Sequence, residues 1–319
     1  MFVVPERMIA ALMSADEAFG AVESVFAAMA DDAAYNFPVV REALGEGRQY
    51  GFKSGLDRAG GALGVKAGGY FPGNAARGII NHQSTVFLFD PESGVLQAAV
   101  GGNLLTALRT AAASAVSIDR LARQDAKILG MVGAGHQATF QLRAAAKARQ
   151  FDKVIAWNYH PDMLPKLGEV AAELGLPFEA VSLERMVEAD VIVTITSAPA
   201  FSLASAHVSA GTHIACMGTD TVGKQEVEPA LLARASVFTD EVAQSVTLGE
   251  AQHAVGAGLI AATDITPLGA VITGAAEGRT RDDQITLFDG TGVGLQDIAV
   301  AARVVELAKA KGLATEVEL

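Results

Sequence analysis

The clearest chemistry in this 319-residue chain lies in Gly130-Met131-Val132-Gly133-Ala134-Gly135-His136-Gln137-Ala138. Its core, Gly133-x-Gly135-x-x-Ala138, has the spacing of a pyrophosphate-binding turn. The first glycine permits the tight turn and the second lets backbone approach a phosphate. The small third residue lets the next helix pack on its strand. The start of that helix offers unpaired N–H groups to an anion. The pattern predicts dinucleotide binding through Gly133, Gly135, His136 and Gln137, with an ordinary glycine turn as the alternative. No catalytic role is read for His136. A second strand ends at Asn158, where such sites usually place a ribose-binding acid. An amide can hold a ribose hydroxyl without repelling a 2′-phosphate, so NADP stays open. No arginine follows closely, and the reading leans to NAD.

These groups need a strand, a turn and a helix to hold them. From Lys127 onward, apolar runs alternate with helical stretches: Lys127–Val132, Lys153–Trp157, Phe178–Val181, Val191–Ile195, His213–Met217, Ser236–Thr239 and Ile285–Asp289. Such alternation predicts an α/β fold, a parallel sheet with helices on both faces. The part before it is different. Residues 1–35 read as one or two amphipathic helices, with Met8, Ile9, Leu12 and Met13 as a buried stripe and Ser14 and Glu17 at capping-box spacing. Residues 36–102 place short β-like runs (Arg48–Lys53, Ala62–Ala67, Ser84–Asp90, Val95–Val100) between glycine-rich turns. That predicts antiparallel strands, with a hairpin at Asp90–Gly94. A helix is predicted over 103–123, where Arg109 is a charge on an otherwise apolar pattern. A last long helix, 293–312, is placed to fold back onto the first domain.

The net charge of −12 and pI near 4.9 leave no basic footprint for nucleic acid. An acidic protein also repels anionic small molecules, so an acidic substrate needs a local cluster of cations. One cysteine, Cys216, excludes an intrachain disulfide and fits a reducing compartment. It is read as inert core, with its backbone near the coenzyme ring. The opening Met1-Phe2-Val3-Val4-Pro5-Glu6-Arg7 lacks the apolar core of a signal peptide, and no apolar run reaches membrane-spanning length. The expectation is a cytoplasmic protein with no membrane contact. His160, His207, His213 and His253 show no metal-ligand spacing, so no metal is expected.

Further segments resemble the ornithine cyclodeaminase, μ-crystallin and alanine dehydrogenase family. They are Gly64-Val65-Lys66, Leu105-Thr106-Ala107-Leu108-Arg109-Thr110-Ala111-Ala112, the glycine loop and Ala189-Asp190-Val191-Ile192-Val193-Thr194. Later come the run from Gly218 to Glu226, the run from Asp264 to Gly269 and the run from Thr286 to Val293. They follow family order over most of the chain. The resemblance implies a Rossmann domain over 119–293 and a mixed α/β substrate-binding and dimerisation domain formed by 1–118 with 294–319. It also implies a homodimer and an oxidoreductase acting on amino or imino acids.

By the same resemblance, Arg41 binds the substrate carboxylate, Lys66 is the active-site lysine, Asp220 is the catalytic acid and Arg109 lies near cofactor and substrate. The alternatives are a surface arginine, a solvated strand lysine and, for Arg109, a structural ion pair. A guanidinium can grip a carboxylate through two parallel hydrogen bonds. A buried lysine beside positive charge loses basicity, which suits proton transfer. Lys224 is read as a cofactor contact or a surface residue, and His82 and Ser84 as substrate contacts or structural residues. Thr110, Thr196, Ser197, Ala198, Met217, Gly218 and Gly292 are read as lining the cofactor.

Substrate choice turns on one position. As the resemblance aligns, cyclodeaminases carry a glutamate thirteen residues before the active-site lysine, and that spacing falls here on Lys53. A cation there repels the ammonium end of ornithine and attracts an anionic side chain. With Arg41, Lys66 and Arg109 it makes the cation cluster that the acidic surface requires. The expectation is a dicarboxylic substrate, and concretely the reduction of iminosuccinate to L-aspartate with NADH. Ornithine cyclodeaminase, alanine dehydrogenase and a non-catalytic dinucleotide-binding protein of the μ-crystallin type are the alternatives.

Overall fold

Two sheets organise the chain, and a computed structural model describes residues 1–318. The described residues divide into two compact units, 1–109 with 293–318, and Thr110–Gly292.

The first unit runs β1 (Phe2–Val4), α1 (Glu6–Leu12), α2 (Ala15–Ala30), β2 (Ala34–Asn36), β3 (Val40–Gly45), β4 (Arg48–Asp57), β5 (Ala62–Tyr70), β6 (His82–Phe89) and β7 (Leu96–Gly101). Helix α3 (Asn103–Leu121) then leads into the second unit. Strands β4 to β7 form an antiparallel meander. Asp90 closes its predicted hairpin by accepting the Glu92 and Ser93 N–H groups. Ser14 Oγ accepts the Glu17 N–H and starts α2 as the capping spacing predicts. Ile9, Leu12 and Met13 are buried as expected, while Met8 is only partly so.

The prediction of helix alone over 1–35 needs correction. Phe2–Val4 is a strand, parallel to β7, and Ala34–Asn36 pairs with β4. Three-residue strands carry too little alternation to be read, and their partners are distant in sequence.

The second unit carries β8 (Ile128–Val132), α4 (Ala138–Ala148), β9 (Lys153–Trp157), α5 (Pro165–Glu173), β10 (Phe178–Ala180), β11 (Val191–Thr194) and β12 (His213–Cys216). It continues with α6 (Pro229–Arg234), β13 (Ser236–Thr239), α7 (Val242–Leu248), α8 (Ala251–Gly256), β14 (Ile265–Pro267), α9 (Leu268–Ile272) and β15 (Thr286–Asp289). All eight strands are parallel, in the order β10-β9-β8-β11-β12-β15-β13-β14. The strand order reverses between β8 and β11, and open α/β sheets bind ligands at the carboxyl edge of such a point.

The chain then returns to the first unit as α10 (Gly294–Ala310) and β16 (Thr315–Glu316). Helix α10 packs on β4, β5 and α2 and buries Leu295, Ile298, Val300, Ala301 and Val304. Its start approaches β4 closely. A Cβ on Gly294 would lie 2.7 Å from Ser54 N, so glycine is needed there. Asn36 Oδ1 accepts the Leu295 N–H at 3.1 Å and supplies one of the partners that a helix start lacks.

Candidate active site

In the first unit, strand register gathers the predicted cations. Lys53 on β4 is directly opposite Lys66 on β5, and both are buried. Alternation puts Arg41, opposite Gly51, on the same face as Lys53. His82 and Ser84, opposite Tyr70 and Gly68, share the face of Lys66. The start of α10 lies over this face and brings an acid that the sequence reading did not name. Asp297 Oδ2 is 2.7 Å from Lys66 Nζ. Arg109 Nε donates to Asp297 Oδ1 at 3.1 Å, and Arg109 Nη1 donates to Gln296 Oε1 at 3.0 Å.

The charges tune one another. Burial is the strongest influence on Lys66 and lowers its pKa. The Asp297 carboxylate opposes this, Arg109 and Arg41 reinforce it, and the ammonium is left with a pKa of about 8. Burial alone would raise Asp297, but Arg109, Lys66 and Lys53 hold it below the usual carboxylate range. Burial, then Lys66 and Arg109, push His82 down to about 4, so its imidazole is neutral near pH 7. A proton held near neutrality beside several cations is an arrangement suited to binding an anion and passing it a proton.

In the second unit, Gly133 takes φ +113°, and a Cβ there would lie 2.5 Å from Ile195 O. A Cβ on Gly135 meets nothing within 4 Å. No partner is found among the described residues for the N–H groups of Gly135, His136 and Gln137, which precede the 11-residue α4. Open space over orphaned donors at a helix start fits a pyrophosphate. Along the same edge, the buried Glu226 carboxyl accepts from Thr194 Oγ1 at 2.7 Å, from Gly218 N at 2.8 Å and from Thr196 N. It thereby ties the end of β11 to the end of β12. Burial raises its pKa, against the lowering effect of these donors. Asp220 pairs with Lys224 at 2.9 Å, both partly exposed.

The model of the ornithine cyclodeaminase/mu-crystallin family matches residues 5–312. The chain belongs to this family. It is 63% identical to the iminosuccinate reductase of Paracoccus denitrificans, with both chains covered completely. The crystal structure of that enzyme in complex with NAD+ superposes with a TM-score of 0.97, covering 100% of this chain and 99% of the other. Alanine dehydrogenase of Archaeoglobus fulgidus is 31% identical over 99% of this chain and 98% of its own. An archaeal alanine dehydrogenase dimer with bound NAD gives a TM-score of 0.94, covering 100% of this chain and 99% of that one.

On this family fold, the predicted residues fall in two groups. Arg41, Lys53, Lys66, His82, Ser84 and Arg109 belong to the first unit, and the glycine-loop and strand-end residues to the second. For Arg109 the geometry is that of the alternative reading, an ion pair, since Asp297 and Gln296 occupy two of its nitrogens. Asn158 stands at the end of β9, where its Oδ1 accepts the Ala134 N–H at 3.1 Å and its Nδ2 donates to His160 O at 2.8 Å, so the amide braces the glycine loop. The Gly292 N–H is likewise engaged, donating to Asp240 Oδ2 at 2.8 Å. Lys224 reaches Asp220 and Gly218 O. His136 is exposed, with its ring edge-on to Phe140, and Cys216 is a buried free thiol. Thr110 and Met217 are buried, and Ser197 is exposed. Asp297, Gln296 and Glu226 were missed. Asp297 lies in the first turns of α10, where residues 294–298 are all buried, and it is the unlike charge that the buried Arg109 requires.

Proposed function

We propose that the chain is an NADH-dependent imino acid reductase that converts iminosuccinate to L-aspartate. The observation that carries this reading is the buried cross-strand pair Lys53 and Lys66, with Arg41 on the same face and Arg109 beside them. A substrate with two carboxylates is the ligand that such a cluster suits, and full-length identity of 63% to an iminosuccinate reductase supports the same choice. In this reading Arg41 and Lys53 bind the two carboxylates. Lys66 is the proton donor to the imine nitrogen, and Asp220 is the other candidate for that proton. Arg109, held by Asp297, keeps the pocket positive.

The coenzyme, when bound, supplies the hydride that reduces the imine carbon. Gly133, Gly135, His136 and Gln137 receive its pyrophosphate, and Asn158 steadies their loop. Thr110, Thr196, Ser197, Met217, Gly218, Lys224 and Gly292 are assigned to its nicotinamide half. The NAD+ and NAD complexes of the structural neighbours support NAD as the coenzyme.

A homodimer is part of the proposal. It is supported by the dimeric archaeal neighbour and by the outer face of the first sheet, where Tyr35, Val40, Tyr50 and Phe52 are exposed. No helix is long and apolar enough to cross a membrane among the described residues. A buried free cysteine supports a cytoplasmic setting.

The test is NADH oxidation at 340 nm with freshly generated iminosuccinate, beside pyruvate plus ammonia, and an ornithine assay for proline. Preference for iminosuccinate is expected. Activity only with pyruvate plus ammonia, or only with ornithine, overturns the dicarboxylate assignment. Tight NADH binding with no turnover on any of them overturns the enzymatic one.

A further inference from the structure

We propose that Asp297 is a positioning residue for the proton donor: its carboxylate keeps the Lys66 ammonium charged and aimed, while Asp297 and Gln296 together fix Arg109. The proposal rests on the reading of Lys66 as donor. Asp297 is assigned no substrate contact and acts through Lys66.

Geometry carries the argument. Asp297 stands in the first turn of α10, where a helix favours a carboxylate. That turn is seated on β4 by Gly294 and tied to β2 by the Asn36 acceptor. Its two oxygens are divided, Oδ2 to Lys66 and Oδ1 to Arg109. The 2.7 Å ion pair draws Nζ to one side and leaves other donor directions of the ammonium for a ligand.

The charged and titratable groups around it are Lys66 from β5, Lys53 from β4, Arg41 from β3, Arg109 from α3 and His82 from β6. His82 is neutral near pH 7, so every other neighbour of Lys66 in this set is a cation. Without Asp297, burial and the arginines would strip the proton from Lys66 at a lower pH.

A bound dihydronicotinamide would supply the hydride to the imine carbon and be oxidised. The π electron pair of C=N moves to nitrogen and forms a bond to the proton leaving Lys66 Nζ. The products are the amino acid and a neutral Lys66, which is reprotonated from solvent.

The experiment is the pH profile of kcat/KM for imine reduction, with NADH affinity followed by fluorescence, for the wild type and for Asp297→Asn, Asp297→Glu and Lys66→Met. The wild type is expected to lose activity above about pH 8, the Lys66 pKa. Asp297→Asn should move that limb to lower pH by about one unit or more, with NADH affinity unchanged. Asp297→Glu should keep the limb near its place while kcat falls by about tenfold to a hundredfold, because Nζ is displaced. A limb that disappears in Lys66→Met yet stays unmoved in Asp297→Asn overturns the role of Asp297 alone. A limb that persists in Lys66→Met overturns Lys66 as donor, and this proposal with it. If the asparagine variant does not fold, the glutamate variant decides: unchanged kcat and KM overturn the proposal.

Discussion

Lys53 and Lys66 are direct partners across β4 and β5, with both side chains buried on the face that α10 covers. Like charges placed opposite each other weaken a sheet, so the pair has no value to folding in itself. In the proposed function its value is to an anion. Lys53→Met is therefore expected to raise KM for iminosuccinate by roughly 30-fold or more, the scale for removing one partner of a buried charged contact. Activity with pyruvate plus ammonia should change far less. Parallel losses on both substrates would show that Lys53 does not contact the second carboxylate.

Glu226 and Gly218 give a second prediction, about the coenzyme edge. A Cβ on Gly218 would lie 2.3 Å from Thr196 O and 2.5 Å from Glu226 Oε1. Gly218→Ala must spread the tie between β11 and β12. With overpacking strain of about 1–3 kcal/mol falling on this edge, NADH affinity should weaken by about tenfold. Fluorescence titration measures it, and far-UV circular dichroism checks that the fold persists. Unchanged affinity would separate this edge from the coenzyme.

Much of the fold could be read in the sequence, because it is written locally. The glycine loop, its strand and its helix are contiguous, and the β-α alternation after Lys127 needs no distant information. The first unit is different. Arg41, Lys53, Lys66 and Arg109 lie far apart along the chain, and their assembly depends on register. Asp297 is farther still, 188 residues after its partner Arg109, and reaches it only because α10 returns to β4 and β5. Sequence shows an acid in a helix start, which is ordinary. For Asn158, the place at the end of β9 was legible, but the hydrogen bond of its amide to Ala134 was not.

His213 predicts acid sensitivity. It is fully buried between Ser117 Oγ at 3.2 Å and Thr286 Oγ1 at 3.0 Å. Burial, with Arg279 and Arg149 nearby, lowers its pKa from 6.5 to about 3. Between those values the unfolded chain binds a proton that the native chain refuses. Stability from this site is thus intact above about pH 6.5 and lost as pH falls, by at most about 1.4 kcal/mol per unit. Asp289 works in the other direction. Burial raises it from 3.8 to about 7, so its stabilisation at low pH fades as pH rises through that window. Asp289 contributes equally to both proteins, so in urea denaturation the signed stability difference, the pH 7 value minus the pH 5 value, should be lower for His213→Gln than for the wild type. An equal difference would assign the acid sensitivity to other groups.

The outer face of the first sheet yields the last prediction. Tyr35, Val40, Tyr50 and Phe52 are each between 38% and 44% exposed, and Val40 is directly opposite Phe52. Tyr50 and Phe52 pack edge to face, with ring centroids 5.6 Å apart. Their alternation partners on β4, Lys53 and Asp57, are buried on the opposite face, so a substitution at Phe52 alters the outer surface without entering the cation cluster. An aromatic and aliphatic patch on a sheet face is costly to leave in water and suits a self-complementary contact. Phe52→Lys places two positive charges against each other or against apolar side chains in a two-fold contact. Light scattering after size exclusion is expected to report a dimer for the wild type and a monomer for Phe52→Lys, with circular dichroism unchanged. A Phe52→Lys protein that remains a dimer would move the interface elsewhere on the chain.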